Sequence, residues 1–96
     1  MFASVRHYDT VVSSVPEILT RVKSEFIPLL MQVSGFVSYD ILDAGKGRLI
    51  TITFFKTEVG AIKSNLLAQQ WVNSLGELKP KLSESVSGMV VVHSVQ

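Results

Sequence analysis

"FVSYDILDAGKGRLITITFFK", residues 36–56, decides the fold. Two runs rich in β-branched and aromatic residues, 36–42 and 48–56, flank the glycine-bearing "DAGKG" at 43–47. Strand, tight turn, strand is the reading that this pattern supports, so a hairpin is expected. In the second run Ile50, Ile52 and Phe54 fall on one face, and Leu49, Thr51, Thr53 and Phe55 on the other. Both faces carry apolar groups, whereas a strand with one solvated face alternates more cleanly. This strand therefore predicts a cover on each side.

The chain before the hairpin supplies a strand and a helix. Residues 2–9, "FASVRHYD", have strand composition. Ser14 and Glu17 stand at capping-box spacing and Pro16 falls in the first turn, where its missing N–H costs little. Ile18, Leu19, Val22, Phe26, Leu29, Leu30 and Val33 then recur at three- and four-residue steps, one apolar stripe of a helix over 15–33. Pro28 predicts a kink near Ser24, and Gly35 a stop.

After the hairpin, Thr57 suits an N-cap and Glu58 the positive end of a second helix, expected to run to about residue 75. Lys79, Pro80 and Lys81 break it, and a short helical turn or loop leads on. "VSGMVVVHSV", residues 86–95, reads as the last strand, with Gly88 hinting at a bulge. The order β-α-β-β-α-β predicts an α+β, ferredoxin-like fold: a four-stranded antiparallel sheet with both helices on one face. Leu49, Phe55 and Met89 or Val90 are expected on the face the helices leave bare. A second sheet packed there would cover it.

Composition narrows the function. At 96 residues one domain, 1–96, is expected. With 47% hydrophobic residues and a mean hydropathy of +0.36, the chain is apolar for its size. No apolar run approaches the roughly 20 residues of a membrane helix, the longest plain run being "MVVV" at 89–92. The first residues lack the pattern of a signal peptide, so a cytoplasmic location is expected, without a membrane partner. A small fold cannot hide so much apolar surface internally, and a second copy of the chain is the simplest cover. The net charge of +1 comes from mixed charges, which gives no nucleic-acid footprint. An RNA-recognition domain shares the element order but needs stacking aromatics where Arg48 and Ile50 stand. The absence of cysteine excludes disulfides, zinc-thiolate sites and thiol nucleophiles.

"ASVRHYD" in the first strand, "FIPLL" late in the first helix, "GFVSYDILDAG" across the second strand and turn, and "SNLLAQQWV" in the second helix complete the pattern. With them the chain resembles the dimeric α/β-barrel superfamily, in particular small bacterial proteins of the antibiotic-biosynthesis-monooxygenase type. The resemblance implies a homodimer whose sheets form a shared barrel, and a pocket in each subunit between helices and sheet. Its members include cofactor-free quinone-forming oxygenases, haem-degrading enzymes and many proteins of unknown activity. In the quinone-forming members an Asn and a Trp of the second helix bind substrate, which points to Asn65 and Trp71. They stand six residues apart here, a spacing that differs from the family's. The haem-degrading members hold iron through a histidine of that helix, and residues 57–82 contain none.

Gly60, Ala61, Ser64, Leu67, Ala68, Trp71, Val72 and Leu75 share one arc of the second helix. Small residues at 60, 64 and 68 permit either close packing or an empty volume beside Trp71. The cavity reading makes Ser64, Asn65, Trp71 and Tyr39 binding residues, with Tyr39 as a phenol donor. His7 is the candidate base, since imidazole titrates near neutral pH. His7 and His93 are placed on neighbouring strands, but no third ligand accompanies them, so no metal is expected. Arg6 and Tyr8 share one face of the first strand and His7 the other. Arg6 is a candidate anion partner, although an ordinary surface or interface arginine is the commoner outcome. Two functions follow. One is a cofactor-independent monooxygenase acting on a small aromatic or polycyclic phenol, sheltering its anion while oxygen reacts. The other is a non-catalytic homodimer that binds a small hydrophobic ligand. Either predicts a colourless protein without haem or flavin.

Overall fold

A computed structural model describes residues 1–96. Four strands form one antiparallel sheet: β1 (Phe2–Asp9), β2 (Phe36–Gly45), β3 (Arg48–Phe55) and β4 (Lys81–Met89), in the order β2-β3-β1-β4. Two helices lie on one face, which is the ferredoxin-like arrangement that the sequence predicts. No helix is long and apolar enough to cross a membrane.

The hairpin turns at Lys46 and Gly47, both at positive φ (56° and 80°), the pattern of a type I′ turn whose twist matches the flanking strands. Gly47 also lies against the backbone of Thr10, whose N–H donates to the Gly47 carbonyl at 2.8 Å. A Cβ at residue 47 would stand 2.0 Å from the Thr10 carbonyl oxygen, so only glycine fits.

The first helix, α1, spans residues 15–31 in three parts: α-helical Val15–Arg21, π-helical Val22–Phe26 and α-helical Ile27–Met31. The π segment falls around the kink expected at Ser24. Pro28 has no N–H to give the Ser24 carbonyl, and Ile27 instead donates five residues back to Val22. The capping box does not form. A 3-10 turn at Val12–Ser14 already gives Ser14 helical angles, and its hydroxyl makes no cap bond. The second helix, α2 (Glu58–Asn73), does begin as expected, with the Thr57 hydroxyl accepting from Gly60 N–H at 3.2 Å.

The core is sandwiched between helices and sheet in two apolar clusters. Tyr8, Val15, Ile18, Val22 and Leu49 form one; Phe26, Leu30, Phe55, Ala61 and Ala68 form the other. Tyr39 and Trp71 pack against both. The face assignment of β3 therefore corrects the sequence reading. Leu49 and Phe55 point at the helices, and the bare face carries Ile50, Ile52 and Phe54 with Val5, Leu42 and Val86. The last strand is corrected too. It occupies 81–89 rather than 86–95, and the irregularity in its pairing with β1 lies opposite His7 and Tyr8, not at Gly88.

Candidate functional site

Strand alternation sends Ser4, Arg6 and Tyr8 of β1 toward the helices and His7 away from them. Arg6 and Tyr8 meet Tyr39 and Ile41 from β2, Leu49 and Thr51 from β3, Phe26 from α1, and Ala68 and Trp71 from α2 around a small, partly open cavity. Its volume is about 30 Å³, space for one or two water molecules. Most of the wall is apolar.

The polar groups concentrate at one end. Arg6 is only 8% exposed and has no carboxylate partner; the two ion pairs of the protein are Arg21–Glu25 and Arg48–Asp9. One of its five N–H groups donates to the Asn65 carbonyl at 3.1 Å. A buried charge without a counter-charge is costly, so this end of the cavity is set to receive an anion or an oxygen dipole. Burial pushes the Tyr8 hydroxyl above its ordinary pKa of 10, with Arg6 opposing. Tyr39 is pushed up further, first by burial and then by the neighbouring Tyr8, again against Arg6. Both phenols are therefore neutral donors at physiological pH.

Trp71 closes the apolar side. Its ring stacks on Phe26 at 5.2 Å and 30°, and its Nε1–H donates to Glu25 Oε1 at 3.1 Å. Tyr39 meets the same Phe26 edge-on at 5.6 Å.

On the other side of Arg6 and Tyr8 lies an open groove of about 650 Å³ between α2 and β4. Val72 and Pro80 belong to both walls, so groove and cavity share a partition. Asn65 faces the groove, with its Nδ2 3.5 Å from Ser87 Oγ and its buried Oδ1 without any donor.

The candidate residues thus separate. Tyr39 and Trp71 line the cavity, Asn65 the groove, and Ser64 neither. Ser64 is 2% exposed, and its hydroxyl donates to the Ala61 carbonyl at 2.7 Å inside the helix-sheet packing. Gly60 is closely packed as well, since a Cβ there would meet Phe55 Cδ1 at 2.7 Å. The row of small residues serves close packing at 60 and 64, and borders empty space only at Ala68. His7 stands on the bare face of the sheet, opposite Ile50 and Glu84, and does not line the cavity. Its placement does not suit a base for a ligand held there. His93 lies past the end of β4, so the two histidines are not strand neighbours. No group of three or more His, Asp or Glu side chains is placed to hold a metal.

No family model matches the chain, and no curated protein matches it. Solved structures do. A provisionally assigned antibiotic biosynthesis monooxygenase from Nitrosomonas europaea aligns with TM-score 0.70 and 13% identity over 96% of this chain and 100% of its own. The monooxygenase ActVA-Orf6 of Streptomyces coelicolor, in complex with nanaomycin D, aligns with TM-score 0.71 and 11% identity over 99% and 90%. A dimeric ferredoxin-like protein from an uncultured marine organism gives 0.71 and 12% over 99% and 97%. MupZ from Pseudomonas fluorescens is longer: at TM-score 0.72 and 10% identity the alignment covers 90% of this chain and 65% of MupZ.

The chain shares its ferredoxin-like fold with these structures, among them proteins described as monooxygenases. These identities carry the fold and not the chemistry. In this chain α2 has no histidine, so the donor set does not fit a haem iron held from that helix. Arg6 is the site residue that sequence reasoning underrated. Its type and face were visible, but its burial depends on α2 lying over it. Nothing in the sequence linked Glu25 to Trp71, which are 46 positions apart.

Proposed function

We propose that this protein binds a planar phenol or enol at the junction of cavity and groove and promotes its oxidation by molecular oxygen without a cofactor. The buried Arg6 guanidinium, without a carboxylate partner and close to the Tyr8 and Tyr39 phenols, carries this reading. The charge favours the ionised form of the ligand, and the two neutral hydroxyls donate to its oxygen. The apolar wall of Ile18, Val22, Phe26 and Trp71 keeps water from that anion. For an anthrone-type substrate, a proton passes to water in the open groove and leaves an enolate, whose carbon passes its electrons to oxygen. A carbon–oxygen bond forms, the resulting peroxide is protonated, and water leaves as the carbonyl forms. The sum is one CH2 group and one O2 giving one C=O and one H2O. The comparison with ActVA-Orf6, whose solved complex holds nanaomycin D, agrees with a polycyclic ligand.

No carboxylate or histidine lines the cavity, so in this reading electrostatics drive the ionisation and His7 takes no part. Oxygen uptake with an anthrone, followed by electrode, should fall at least tenfold in Arg6→Met and stay unchanged in His7→Ala. Uptake that survives Arg6→Met with Tm preserved would overturn the assignment.

A second reading is a non-catalytic ligand-binding homodimer. The small cavity, about 30 Å³, favours it, because a ring enters only if Trp71 or its neighbours move. Anthrone binding, seen as a change in Trp71 emission, without oxygen uptake would select it. Both readings include a homodimer formed through the bare sheet face, where Ile50, Ile52, Phe54, Val5 and Val86 present apolar surface without cover.

A further inference from the structure

The groove between α2 and β4 is electrostatically one-sided. Arg6, Lys79 and Lys81 line it, and no carboxylate does. None of the three belongs to an ion pair. The two lysines flank Pro80, the buried residue that separates groove from cavity. They follow a short 3-10 turn (Gly76–Leu78) that begins at Gly76, at φ +61°, and closes with Lys79 N–H donating to the Gly76 carbonyl at 3.1 Å. Lys81 is the first residue of β4 and pairs with Asp9 of β1. Both lysines thus line the groove on either side of Pro80. The α2 wall adds uncharged Asn65, Gln69 and Asn73, which offer amide donors. The groove volume, about 650 Å³, falls within the range of small-molecule sites, roughly 300–1,000 Å³.

We propose that this groove receives the carboxylate of the ligand, so that the natural ligand is an aromatic acid and not a neutral phenol. Its carboxylate lies toward Lys79 and Lys81, the adjacent phenol or enol oxygen reaches Arg6 and Tyr8 at the shared wall, and its ring lies along the groove. The lysines supply attraction and orientation, and Arg6 acts on the reacting oxygen. This inference rests on the proposed function for the placement of the ring, and on the groove's own charge for the acid group.

The test compares 1-hydroxy-2-naphthoate with 1-naphthol, each titrated into the full chain and followed by Trp71 emission and calorimetry. The acid is expected to bind about tenfold more tightly. The double variant Lys79→Gln/Lys81→Gln should bind the acid about fivefold less well and naphthol unchanged. Both residues are exposed, so folding should survive the change. The advantage of the acid should also shrink as salt rises to about 0.5 M. Equal affinity for the two molecules, or an advantage that the double variant retains, overturns this inference and leaves the Arg6 reading standing. If neither molecule binds, both fall.

Discussion

Glu25 accepts the indole N–H of Trp71 at 3.1 Å and takes Arg21 through two further bonds, at 2.9 and 3.2 Å. One carboxylate on the π segment therefore ties α2 to α1 at the cavity wall. The Arg21 hydrogen bond, and then that from Trp71, holds the Glu25 carboxyl below its ordinary 4.5. A depressed carboxyl contributes stability that is present above the unfolded value and lost as pH falls through the folded one. Trp71 emission should therefore shift on acidification with a midpoint below 4.5, and Glu25→Gln should abolish that transition. Emission that stays constant down to about pH 3 would show that the carboxylate does not hold the ring.

Ser64→Leu tests whether the small residues of α2 border space or packing. Ser64 is 2% exposed and lies outside the cavity lining. The larger side chain should overpack the interface and cost about 1–3 kcal/mol. Chemical denaturation measures this, and a loss below about 0.5 kcal/mol would indicate unseen room.

Glycine substitutions should rank by position. Gly47→Ala puts a Cβ 2.0 Å from the Thr10 carbonyl oxygen at φ +80°, and should be the worst. Gly60→Ala gains helix propensity of about 1 kcal/mol but meets Phe55 at 2.7 Å and the Ser34 carbonyl at 3.1 Å, for a net loss of about 1 kcal/mol. Gly88→Ala meets nothing within 4 Å and should be neutral. Thermal melts give the order, and a Gly47→Ala protein as stable as the parent would refute the turn geometry.

Ile52→Asp should keep the subunit fold and separate the copies. The residue points away from the helices into the bare apolar face. Light scattering at micromolar concentration should report about twice 10.6 kDa for the parent and 10.6 kDa for the variant. A parent at 10.6 kDa would remove the barrel.

The hairpin and α2 were legible because their signals are local. A turn with two glycines and a threonine cap beside a row of small residues need no distant partner. β4 was not legible, because the apolar "MVVV" drew the eye while the strand itself is "KLSESVSGM". All nine of its side chains are exposed, and backbone pairing with β1 forms it at the sheet edge. The sequence separates the two faces of β3 but does not say which of them meets the helices. Two apolar faces look alike until Tyr8, Val15 and Ile18 are seen to gather on Leu49. In the site, Tyr39 and Trp71 could be read from residue type and helical position. The burial of Arg6 and the Glu25–Trp71 bond required tertiary structure.

The buried residues of α1 are Val15, Ile18, Val22, Phe26 and Leu30, so the last three steps are each of four residues. On a regular α-helix a step of four overshoots a full turn by about 40°, and three steps would swing Leu30 about 120° off the stripe. The wider turn at Val22–Phe26 absorbs that drift. Deleting one residue there would restore a regular helix with its flanking faces in place, because the steps between buried residues would become three, four, three and four. Lys23 and Ser24 are exposed, so almost any letter is acceptable at either position. One missing letter is acceptable too. An alignment that runs without a gap from this segment onto a regular helix pairs the core of one protein with the surface of another.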